Sequence, residues 1–227
     1  TVLLRRWLRE MDYAAHGWGL GRNVGFDSAS QSALRRRLDT LAAEYDKPVS
    51  LVGWSLGGIF ARALAHDAPH QVERVVTLAS PFRIPEGRPV EGHISRLYRF
   101  LRSDNMAPLK DPQAKWLRPP PVPSTAIYSR CDGIARWDYC LDRLSDNASK
   151  ADIAAENIEV PSSHMGMGSN PLVMWLLAER LSIPVDRWRA FDPGGWRGIL
   201  FGSDDGNGIP GENGYPLFET KRFWKSR

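Results

Sequence analysis

At 227 residues, with 42% hydrophobic and 25% charged residues, the chain has the length and balance of one ordinary soluble globular domain with a sizeable core. The net charge of +4 rests on scattered arginines (Arg35, Arg36, Arg37, then Arg96, Arg99, Arg102), which read as solvated helix faces and exclude a nucleic-acid patch. No apolar run approaches the roughly 18 residues of a membrane span. The stretch from Thr1 to Leu8 carries its charges inside the apolar residues, unlike a signal peptide. The chain opens on Thr1 rather than Met, the mark of a fragment or a processed form. Cys131 and Cys140 are too few for a disulfide framework. They fit either a local pair or free thiols in a reducing compartment, and the expected localisation is cytoplasmic.

Residues 2–10 carry Val2, Leu3, Leu4, Trp7 and Leu8, a helical pattern with a broad apolar face. Residues 11–16 suit a short strand running into Gly17-Trp-Gly-Leu-Gly-Arg-Asn23, a loop. Leu34, Leu38, Leu41, Ala42 and Tyr45 fall on one helix face, which Lys47-Pro48 ends. Residues 49–52 form a buried strand, 56–65 a helix rich in Ala and Leu, and 72–78 another strand. Strands are expected again at 125–129 and 157–160, and a helix at 172–181. This alternation predicts a mostly parallel sheet with helices on both faces. Two stretches break the rhythm. Residues 81–124 are proline-rich with one helix expected at 93–102, and read as a lid or cap insertion. Residues 190–227 are rich in Gly and Pro and read as an extended tail with little helix or strand. The remaining residues, 1–189, form the main domain.

The chemistry centres on Gly53-Trp54-Ser55-Leu56-Gly57, a G-x-S-x-G match with a β-branched strand before it and a helix after it. A serine on so tight a turn has a strained backbone and a hydroxyl projecting above the sheet. Side chains two residues before and after it would collide, hence glycine at both places, and Gly58 adds room. The turn presents the Leu56 N–H at a helix N-terminus, suited to an oxyanion.

A serine hydroxyl needs a base near neutral pH. In this architecture the order along the chain is Ser, then Asp or Glu, then His. His16, His66, His70 and His93 all precede any late acid, which leaves His164, in a loop after the strand at 157–160. Asp132 follows the end of the strand at 125–129 and is the expected acid. Asp138 and Asp142 are its rivals, further from that strand end. Asp132 would accept a hydrogen bond from the imidazole and fix its tautomer.

The stretches His16-Gly-Trp-Gly-Leu-Gly-Arg-Asn23, Pro48-Val-Ser-Leu-Val-Gly-Trp-Ser-Leu-Gly-Gly58, Val76-Thr-Leu-Ala-Ser-Pro-Phe82, Tyr128-Ser-Arg-Cys-Asp-Gly133 and Ser163-His-Met-Gly-Met-Gly-Ser-Asn-Pro171 together resemble a bacterial branch of the α/β-hydrolases, lipase- or esterase-like. The resemblance covers roughly residues 1–190 and implies the α/β-hydrolase fold with Ser55, Asp132 and His164 as its triad. Such proteins begin with an apolar strand and a loop that gives a second oxyanion donor. The chain here opens in the helix after that loop, so the expectation is a fold lacking its N-terminal strands.

Other signals are discounted. Gly19 and Gly21 make no dinucleotide motif, because Val24 stands where the third glycine belongs. Ser203-Asp-Asp-Gly-Asn-Gly208 has the outline of a calcium loop, but Gly214 occupies the place of its bidentate Glu, so a polar turn is expected. No metal or organic cofactor is required. The expected activity is hydrolysis of a small-molecule or lipid-like ester through an acyl-enzyme, with Phe82, Ile84, Leu97, Tyr98, Phe100, Leu101 and Met106 as an acyl-binding wall. The alternatives are acyl transfer by the same triad and a catalytically impaired hydrolase fold used for binding. The oligomeric state is left open.

Overall fold

The computed structural model describes residues 2–21, 28–83, 114–142 and 154–203. Its elements in chain order are α1 (Val2–Glu10), α2 (Ser28–Tyr45), β1 (Val49–Trp54), α3 (Leu56–Asp67), β2 (Val72–Leu78), β3 (Ser124–Tyr128), β4 (Ala155–Glu159), α4 (Pro171–Ser182), the single turn α5 (Arg197–Leu200) and β5 (Gly202–Ser203). The five strands lie in space in their chain order, β1-β2-β3-β4-β5. The first four are parallel, and β5 closes antiparallel on the end of β4. β3 is buried along its whole length, as an inner parallel strand between two helical layers must be.

Each face of the sheet has its own core. On one side, Leu4 and Leu8 of α1 and Val173, Leu176 and Leu177 of α4 pack on Val76, Leu78, Ile127 and Ile158. On the other, Leu34 and Leu38 of α2 and the apolar run of α3 pack on Val75 and Ala126. Spacings of three and four residues put these leucines on one helix face, and alternation along the strand sends Val75 and Val76 to opposite sides. Val72 shares the side of Val75 because the register slips beside it: Val49 pairs with Val72 but Ser50 pairs with Arg74, leaving Glu73 as an extra residue. α3 packs on β1, β2 and α2, and Leu56 through Ala65 are buried except Gly57, which explains its small residues.

Two expectations are corrected. Residues 11–16 form no strand: Met11 and Tyr13 donate their N–H groups to Trp7 and Leu8 at the end of α1, so this backbone is satisfied by the helix rather than by a strand partner. The beginning of the expected tail is part of the body. Phe191 and Phe201 are buried edge to face at 5.4 Å, Trp175 stacks on Phe201, and Gly202–Ser203 pairs with β4. Aromatic burial holds a stretch whose Gly and Pro content alone argues for none. Residues 204–227, with the polar turn and the rest of the tail, lie outside the described residues, as do 84–113, with the expected helix at 93–102 and most of the acyl-binding wall. On either side of residues 84–113, Phe82, Ala114 and Trp116 are buried in the core beside α3. Cys131 is exposed and Cys140 buried, both as free thiols. Among the described residues no helix is long and apolar enough to cross a membrane.

Candidate active site

Because β1 to β4 run parallel, their carboxyl ends open on one edge of the sheet, and the loops there meet. Ser55 sits at the end of β1 with φ 55° and ψ −126°, a left-handed conformation that a residue with a Cβ rarely adopts. Two hydrogen bonds hold it. Its N–H donates to the Leu78 carbonyl at the end of β2 (2.9 Å), and its carbonyl accepts from Gly58 N–H (3.0 Å). A Cβ on Gly53 would strike the Gly57 carbonyl and the Gly58 Cα, and one on Gly58 would strike the Ser80 side chain. Glycine at 53 and 58 is therefore a steric demand. Gly57 is not: a Cβ there would meet nothing within 4 Å, so the expected collision on the helix side falls at position 58 instead. Leu56 opens α3, where the first backbone N–H groups have no acceptor within the helix.

The three residues singled out as Ser, Asp and His come together. His164 Nε2 lies 3.0 Å from Ser55 Oγ, and His164 Nδ1 lies 2.7 Å from Asp132 Oδ2. The imidazole and carboxylate side chains are both almost fully buried. Asp132 Oδ1 accepts from the N–H groups of Ile134 (2.7 Å) and Ala135 (2.8 Å). The aspartate thus caps its own turn with one oxygen and faces the histidine with the other. Cys140 lies nearby, and burial, together with the charges of Asp132 and Asp138, pushes its thiol well up, so it stays neutral beside the carboxylate.

The rival acids are occupied elsewhere. Asp138 accepts from Arg136 Nε at 2.6 Å, and Asp142 is locked to Arg62. Two of the other described histidines bond elsewhere: His16 Nε2 meets Tyr45 Oη at 2.9 Å, and His66 Nε2 meets the Arg118 carbonyl at 3.3 Å. Desolvation holds His66 below the usual imidazole range.

Sequence reasoning passed over two supports. Ser129 Oγ accepts from Cys131 N–H (3.1 Å) and from Ser162 N–H (3.0 Å), stitching the Asp132 loop to the His164 loop. Its only sequence signal is a serine just past a strand end. Trp54, the elbow residue just before the serine, donates its indole N–H to the His164 carbonyl at 3.1 Å. Nothing in its sequence position foretells that contact.

The comparisons with known proteins agree with this architecture. No curated protein matches the sequence. Among solved structures, the chain is similar to a pyrethroid hydrolase from Sphingobium faniae JZ-2, with 16% identity over 82% of this chain and 92% of that one and a TM-score of 0.52. It is also similar to a lipase-esterase related protein from Clostridium acetobutylicum ATCC 824 (17% identity, 79% and 86% covered, TM-score 0.51). Aspergillus fumigatus lipase B matches over 70% of this chain and 42% of its own, at 16% identity and TM-score 0.51. At such identities the likeness is one of fold. The family is shown by a sequence model described as the alpha/beta hydrolase family, which matches residues 4–213. With that match spanning nearly the whole of a parallel sheet layered by helices on both faces, the chain belongs to the alpha/beta hydrolase family.

Proposed function

We propose that this chain hydrolyses a carboxylic ester through an acyl-enzyme formed on Ser55. The observation that carries the reading is the unbroken hydrogen-bond sequence Asp132–His164–Ser55, with both of its polar contacts at 3.0 Å or less. In the proposed reaction His164 Nε2 takes the Ser55 proton as Oγ attacks the ester carbonyl. Asp132, fixed by two backbone amides, holds the Nδ1–H tautomer and stabilises the imidazolium. The Leu56 N–H donates to the oxyanion that develops. Collapse of the tetrahedral intermediate expels the alcohol, which receives the proton from His164. Water, deprotonated by the same imidazole, then attacks the acyl-serine and frees the acid and Ser55. No step calls on a metal or an organic cofactor. The solved relatives named for ester or lipid hydrolysis lend a substrate class, a small-molecule or lipid-like ester, while the chemistry rests on the residues of this chain.

The test is labelling with a fluorophosphonate, which reacts only with an activated serine, followed by peptide mapping and a panel of nitrophenyl esters of graded acyl length. Label on Ser55 and turnover of at least one ester are expected. Products formed with an added alcohol or amine acceptor separate hydrolysis from acyl transfer. A folded chain that neither labels at Ser55 nor turns over any ester overturns the proposal.

A further inference from the structure

His164 is gripped twice by the end of β1. Ser55 Oγ meets its ring at Nε2, and the residue before it, Trp54, donates Nε1–H to its backbone carbonyl. The two grips are one peptide bond apart, so together they fix both the ring and the main chain of the histidine relative to the same turn. The indole and imidazole rings also face each other, with centroids 5.6 Å apart and planes tilted by 38°.

His164 is followed by the short 3-10 turn Met165–Gly168, in which Met165 is exposed and Met167 is buried in the core. The same carbonyl accepts from Met167 N–H, but at 3.4 Å, longer than the indole bond. Asp132 restrains the ring at Nδ1, whereas the indole hydrogen bond acts on the main chain and ties the His164 carbonyl to the end of β1.

Resting on the proposed reaction above, we propose that Trp54 is a positioning residue for the base. It acts through the His164 carbonyl and touches no reacting atom. Misplacement of a catalytic group by about 1 Å costs on the order of 10²-fold in rate, so the bond belongs in kcat and not in substrate binding.

The test is a cycle of Trp54→Phe, His164→Ala and the double variant, each checked for fold by circular dichroism and assayed on a short nitrophenyl ester. Trp54→Phe keeps an aromatic ring and removes the N–H. Its kcat is expected to fall roughly 10- to 100-fold, by the same geometric argument, with KM nearly unchanged. In the His164→Ala background, where residual turnover persists without the base, the same change is expected to cost nothing further, because no imidazole is left to position. An unchanged kcat in Trp54→Phe, or an additional loss in the His164→Ala background, overturns the proposal. A readout that needs no turnover accompanies these: the downfield proton resonance of His164 Nδ1–H is expected to shift or broaden in Trp54→Phe. If the parent chain turns over no ester, the proposed function fails, and the positioning role stands or falls on that resonance alone.

Discussion

Arg62 lays its guanidinium across both carboxylate oxygens of Asp142, with Nη1 2.9 Å from Oδ2 and Nη2 2.7 Å from Oδ1. Both side chains are out of contact with solvent. Nε of Arg62 also reaches the Trp116 carbonyl and Nη2 the Arg118 carbonyl, and Phe82 lies under its face at 3.6 Å. Ser124 Oγ donates to the same carboxylate. α3, the start of β3 and residues on both sides of 84–113 therefore converge on one ion pair. Breaking a buried pair by removing one partner costs about 3–5 kcal/mol, chiefly because the other charge is left buried. Asp142→Ala is accordingly expected to lose that much in urea unfolding. Arg62→Met combined with Asp142→Leu is expected to recover most of it. Equal stability of Asp142→Ala and the parent would show that the carbonyls alone satisfy Arg62.

The backbone of Ser55 sets stability against function. Its conformation costs a residue with a Cβ about 1–3 kcal/mol, and glycine escapes that cost. Ser55→Gly is therefore expected to unfold at higher temperature than Ser55→Ala. Both are expected to lose ester turnover by at least about 10⁴-fold, the scale on which a triad nucleophile acts. Thermal midpoints and rates for the pair give both answers. A folded Ser55→Ala that keeps its rate would remove Ser55 from the mechanism.

Asp132 and Asp138 make opposite predictions. In Asp132→Asn the carbonyl oxygen keeps accepting from Ile134 and Ala135 while the amide nitrogen faces His164 Nδ1. The imidazole must then carry its proton on Nε2, where Ser55 needs an acceptor. A loss of roughly 10⁴-fold in kcat is expected by analogy with tautomer loss in serine proteases. Asp138→Asn keeps a hydrogen bond to Arg136 and is expected to change kcat little. The reverse ranking would mean that Asp138 is the working acid.

Gly53 and Gly57 are interchangeable in the motif but not in space. Gly57→Ala meets open space in the first turn of α3 and is expected to leave stability unchanged or raise it by up to about 1 kcal/mol. Gly53→Ala drives a Cβ into the backbone of Gly57 and Gly58 and is expected to cost about 3 kcal/mol or more, or to prevent folding. Denaturant midpoints compare them directly, and similar midpoints for the two would mean the turn relaxes around a methyl group at either place.

Much of this arrangement is legible in the sequence because it is local. Short β-branched runs between loops mark β1 to β4 to within a residue or two, and leucines spaced by three and four mark the helix faces. Ser55, Asp132 and His164 announce themselves by lying just past strand ends in the right order. What is not legible depends on contacts across the chain. Residues 11–16 have the composition of a strand, but strand formation is decided by a neighbour, and the backbone there bonds to α1 instead. Arg62 in an Ala- and Leu-rich helix gives no hint of Asp142, eighty residues away. The Trp54 bond spans 110 positions. Phe191 and Phe201 lie in a stretch whose Gly and Pro content hides them, because composition counts residues while burial counts area.

The strands lie side by side in the order in which they are synthesised, and this gives the site a history. Ser55 reaches its strained shape once β2 supplies the Leu78 carbonyl. At that stage neither Asp132 nor His164 need have left the ribosome, since domains emerge N-terminal part first. On the proposed mechanism Ser55 gains its base only with the pairing of β4 on β3 that brings the His164 loop across, so the return of serine reactivity during refolding is expected to report that pairing rather than the first collapse of the chain.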